Sequence, residues 1–147
     1  MSGSGAAALV AAGGFAGAVQ VAVMGRFGDR IGSIEAVAFS VLVTTVVAAA
    51  ALLVARQSFD GYEAALRSPA WLWLGGVTGA FIVLTITIAA PRIGASATVA
   101  VFIAGQLTMG AVIDRFGLFG LEKIPLGWQR LLGLALLGVG AALTLRK

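Results

Sequence analysis

The chain has no cysteine and no histidine. The first absence excludes disulfides and thiolate chemistry. The second removes imidazole acid–base work and, together with the first, the usual ligands of zinc and haem. Acid is scarce as well: six Asp and Glu stand against ten Lys and Arg, and no acids sit at a metal-ligand spacing inside an apolar stretch. No metal and no cofactor is expected. Nor is an enzyme, since carboxylates at helix ends would be its whole catalytic equipment. The bases form no patch, so the net charge of +4 implies no nucleic-acid partner.

What remains is apolar. Hydrophobic residues make up 60% of the chain, far beyond a soluble domain of this length. The charged residues fall in the gaps between long runs: Met1–Gly28 (broken only by Arg26), Ala36–Ala55, Ser68–Pro91, Ile93–Ile113, and Ile124–Leu145 (broken only by Arg130). A helix needs roughly 20 apolar residues to cross the ~30 Å hydrocarbon core. Four runs meet that outright, and the fifth does so if Arg130 snorkels to the headgroups. None alternates with period two, so helices and not barrel strands are predicted. The expected fold is an all-α integral membrane protein, one domain of five helices near residues 6–25, 33–55, 69–91, 94–113 and 125–145. The first run lacks a basic n-region and is longer than a signal peptide's apolar core, so it reads as a retained helix.

Pro69 fits a first helical turn, with Trp71 and Trp73 following as interfacial anchors, and Pro125 opens the last helix before Trp128. Small residues recur at helical spacing. Gly13 with Gly17, and Gly75 with Gly79, permit close backbone approach. Gly94, Thr98, Val101, Gly105 and Thr108 form a slender stripe, a candidate dimer seam. Among polar side chains, Gln106 in mid-helix is the leading candidate to line a substrate cavity, followed by Gln20, Ser40, Thr44 and Trp73. Thr44 and Thr45 can also bond to the carbonyls of their preceding turn and need no ligand. Glu35, Asp114 and Arg115, at helix ends, are candidates for a gate or for ion coupling. Asp114 beside Arg115 reads more simply as a charge pair at headgroup level.

Charge does not orient the protein. With five helices, Arg56, Arg67, Arg115, Lys123 and Arg130 fall on one side, and Arg26, Arg30, Arg92, Arg146 and Lys147 on the other. Short loops rich in Lys and Arg normally stay in the cytoplasm. A tie leaves room for insertion in both orientations and head-to-tail pairing, the symmetry of inverted-repeat transporters.

Several strings then fall into a family order: Gln20 with Gly25-Arg26, Pro69-Ala70-Trp71-Leu72-Trp73-Leu74-Gly75-Gly76, Arg92-Ile93-Gly94-Ala95, Gly105-Gln106-Leu107, Ile113-Asp114-Arg115-Phe116-Gly117-Leu118-Phe119-Gly120 and Arg130-Leu131-Leu132-Gly133. Together they resemble the short five-helix, YdcZ-like branch of the drug/metabolite transporter superfamily. The resemblance implies an inner-membrane carrier of small molecules, one half of a ten-helix inverted-repeat assembly completed by a homodimer, antiparallel in the dual-topology case, or by a related chain. Its cavity would lie at the midplane and open to each side in turn. Two departures stand out: Val21-Ala22-Val23 where relatives often carry Asn, and Arg115 where they often carry His. The alternative is a membrane subunit that transports nothing by itself.

Overall fold

The computed structural model describes residues 3–58 and 60–146. Among these residues six α-helices follow one another: α1 (Gly3–Ile31), α2 (Ser33–Arg56), α3 (Asp60–Leu66), α4 (Leu74–Ile93), α5 (Ala95–Phe116) and α6 (Trp128–Thr144). Single 3-10 turns lie at Ala70–Trp73, running into α4, and at Leu118–Gly120. No strand occurs among the described residues. Among the described residues, four stretches are long and apolar enough to cross a bilayer: Gly3–Ile31, Ser33–Arg56, Ala70–Ile93 and Ala95–Phe116.

The fifth expected span differs. α6 has 17 residues, about 25 Å of helix, and begins at Trp128, not at Pro125. The reason is local. The Ile124 N–H donates to the Asp114 carbonyl at 2.9 Å, and a residue before proline is pushed toward extended backbone. Gly127, also extended, caps the helix that follows. α1 deviates the other way. It continues six residues past Gly25 and carries Arg26, Asp29 and Arg30 on its last two turns. At 29 residues it is about 43 Å long, so those charges can stand beyond the hydrocarbon.

Two connections are single residues. Gly32 (φ 101°, ψ 144°) joins α1 to α2, and Gly94 (φ 86°, ψ 156°) joins α4 to α5. This backbone region is essentially closed to residues with a Cβ, which is why both turns are glycine. The Glu35 side chain lies over Gly32, in the first turn of α2, where a negative charge is favourable.

The chain forms two compact units, one joining the residues up to Ala22 with those from Arg92 onward, the other being Val23–Pro91. Within the second, the end of α1 crosses the end of α4 at very close range. A Cβ on Gly25 would stand 2.8 Å from the Ala90 Cβ, and one on Gly28 2.5 Å from the Thr87 Cγ2. Thr87, Ala90, Ile86, Met24 and Ala36 are buried in this unit, and Phe27 meets Phe39 edge to face at 5.8 Å. The closest approaches are thus made by small groups and backbone, the means by which helices come together in lipid. By contrast, Gly13, Gly17, Gly75 and Gly79 have nothing within 4 Å of an added Cβ. Their spacing serves no contact among the described residues.

Candidate functional site

In the first unit α5 and α6 run side by side. Their ends are stitched by a crossed pair of charges. Asp114 stands at the C-terminal end of α5 and Arg130 in the first turn of α6, and Arg130 Nη1 donates to Asp114 Oδ2 at 3.1 Å. Each charge has the wrong sign for the end of its own helix and the right sign for the end of its neighbour's. Together they favour two antiparallel helices set end to start. The connecting loop adds to the join. Gly117 (φ 63°) turns the chain out of α5 and returns its N–H to the Ile113 carbonyl, while Ile124 takes the Asp114 carbonyl. These bonds account for the Asp-Arg-Phe-Gly string: the glycine supplies the left-handed C-terminal turn. Asp114 therefore pairs with Arg130, sixteen residues away, and not with its neighbour Arg115, which is exposed.

Below this pair lies a groove of about 420 Å³. Ile103, Gln106, Leu107, Gly110, Ala111 and Asp114 line it from α5, and Arg130, Gly133 and Leu134 from α6. The α5 residues recur at three- and four-residue steps, one face of a helix. The lining is apolar for most of its length, with one amide near mid-helix and one ion pair at an end. Among the described residues, the Gln106 amide has no hydrogen-bond partner. Left unpaired in apolar surroundings, such a group costs about 1–3 kcal/mol. A second groove, about 520 Å³, is lined by Ala18, Ala95, Ser96, Val99, Ala100, Ile103 and Leu137. It offers no amide and no charge.

Of the residues singled out in the sequence, Gln106 and Asp114 come together in the first groove. Gln20 is exposed on α1 and lines neither groove. Ser40, Thr44, Trp73 and Glu35 belong to the other unit. Thr44 and Thr45 donate to the carbonyls of Ser40 and Val41, each at 2.9 Å. The Trp73 indole N–H donates to the Ala65 carbonyl at 3.2 Å, fastening α3 to the turn before α4. On the slender stripe, Thr98 is buried at 4% exposure and its hydroxyl donates to the Gly94 carbonyl at 2.8 Å. Val101, Gly105 and Thr108 are exposed. The reading of the sequence missed Arg130, Ile103, Gly110 and Leu134 as lining residues. Counting three and four positions out from Gln106 would have found those on α5. Nothing local reveals the partner across the loop.

Residues 6–143 match the family described as "Putative inner membrane exporter, YdcZ". No curated protein and no solved structure matches the chain. The match takes in nearly all of the first span, the other three spans, the groove and nearly the whole of α6, so this chain belongs to the YdcZ family of the drug/metabolite transporter superfamily and is a multi-pass protein of the inner membrane.

Proposed function

We propose that the protein is a secondary exporter of small, neutral or weakly polar molecules, and a carrier, not an enzyme. The observation that carries this reading is the α5–α6 groove. Its wall is apolar, it holds one amide without a partner, and its charges already neutralise each other. Such a lining can desolvate a solute, offer it one hydrogen bond and release it again. Family membership supports export across the inner membrane.

Two copies inserted in opposite directions would place a second groove against the first and make a shared cavity. Rocking of one copy against the other would then expose it to each side in turn. The two open states of such a pair are images of one another and equal in energy until a gradient biases them. The even distribution of Lys and Arg between the loops supports insertion in both directions.

The test is efflux of neutral lipophilic fluorescent dyes from cells expressing the protein. Expected is faster efflux with the wild type, lost in Gln106→Leu at equal membrane levels. Dye retention identical to that of empty cells across a chemically varied panel would leave only a non-transporting subunit.

A further inference from the structure

The groove between α5 and α6 is ordered along its length. Gln106, Gly110 and Asp114 follow one another at four-residue steps on one face of α5, so about 12 Å of helix separates the amide from the ion pair. Gly110 lies halfway. On α6, Gly133 stands three residues in from Arg130, near the level of Gly110. A Cβ added at either glycine meets nothing within 4 Å, so neither serves the close packing that Gly25 and Gly28 serve. Both stand inside helices, where glycine is a poor helix former. What their missing side chains leave is a bare slot, with an amide at one end and a neutralised pair at the other. The amide also differs from the other polar groups of its helix. Thr98 and Thr108 return their hydroxyls to the carbonyls of Gly94 and Ala104, each at 2.8 Å. Gln106 has no such partner among the described residues, and its side chain carries a donor and an acceptor side by side.

We propose that the groove selects solutes carrying a cis-amide edge, a primary carboxamide or a lactam, on a flat apolar body of one or two rings. This rests on the exporter reading above and names the substrate class that reading leaves open. A cis-amide edge sets its N–H and C=O side by side, as the Gln106 side chain does. Two antiparallel hydrogen bonds then form: the solute N–H donates to Oε1, and Nε2–H donates to the solute carbonyl. Both partners are satisfied at once. An ester or a tertiary amide supplies an acceptor alone and leaves Oε1 unpaired, which costs affinity in apolar surroundings. A trans secondary amide has both groups on opposite edges and makes one bond only. The body of the solute lies over Gly110 and Gly133, where bare backbone on both walls suits a flat ring. A groove of about 420 Å³ fits a molecule of this size. Net charge on the solute is disfavoured, because Asp114 and Arg130 already answer each other at 3.1 Å.

The test is equilibrium dialysis of four probes against the protein in lipid nanodiscs, with empty discs as the blank. Naphthamide should bind about fivefold to tenfold tighter than methyl naphthoate, which has the same body but no donor. Isoquinolone, whose ring locks the cis edge, should match the amide. N-methylnaphthamide, with its N–H turned away from the carbonyl, should fall with the ester. In Gln106→Leu the ratio of amide to ester affinity should drop to about one. Gly110→Leu should weaken all four probes about tenfold and leave that ratio unchanged, since it fills the slot without touching the amide. Such a ratio does not depend on how much of a variant folds, and the order of the four probes stands on the wild type alone. Equal binding of amide and ester, a preference that survives Gln106→Leu, or no saturable binding of any probe would overturn the proposal. Dye efflux judges the exporter reading separately. Efflux with no amide preference keeps the exporter and removes the cis-amide rule, whereas an amide preference with no efflux does the reverse.

Discussion

Gly25 and Gly28 are the residues on which the close crossing of α1 and α4 depends. An added methyl would stand 2.8 Å from Ala90 at the first and 2.5 Å from Thr87 at the second. Both neighbours are short side chains on a helix, so backbone must move to make room. Gly28→Ala should destabilise the protein by about 1–3 kcal/mol, read as a lower unfolding midpoint in detergent. Gly17→Ala is the contrast. It sits in open space within a helix, where alanine is the better helix former by ~0.5–1 kcal/mol, so the midpoint should hold or rise. Equal losses at both positions would mean that the crossing does not depend on these contacts. The same test separates glycines that pack from glycines that merely share their spacing.

At the scale of the element, α6 is held to α5 by charges that are unfavourable on their own helices. Removing one partner leaves the other at a helix end of its own sign. Asp114→Asn and Arg130→Gln should therefore each lower stability, while the double variant should recover part of the loss. The coupling should be about 1 kcal/mol, since both side chains are partly exposed (29% and 46% for Asp114 and Arg130). A coupling near zero would reduce the pair to a crystal-like surface contact without consequence. The late start of α6 is testable separately. A cysteine at Leu126, before the helix, should react with a membrane-impermeant maleimide, whereas one at Leu136, in its middle, should not. Protection of both would restore a start at Pro125.

For the whole molecule, the question is orientation. A C-terminal reporter active only in the cytoplasm and another active only outside should both give strong signals if copies insert both ways. One signal alone would exclude the antiparallel homodimer. It would not touch the groove, which a parallel copy or a related chain could complete. Adding two lysines to the loop after α2, at Gln57 and Ser58, should break the tie between the two sides and collapse a dual signal to a single one.

Much of this was legible without coordinates, because the bilayer reduces the folding problem to one dimension. Length and apolarity decide which segments cross, and charges mark where they stop. That logic located α2, α4 and α5 to within a few residues, and the self-bonded hydroxyls of Thr44 and Thr45 followed from their types alone. It erred where a helix end is decided by something outside the run. α1 keeps its charges within the helix, and α6 waits for Trp128 because Ile124 is tied to Asp114. Gln106 could be picked out as a lone amide in an apolar run, but its groove could not, since that required α6 to be set against one face of α5. The sequence determined a polytopic α-helical membrane protein and its family. Tertiary structure alone decided which glycines pack, which charges pair and which face of α5 lines the groove, because each depends on contacts between residues distant in the chain.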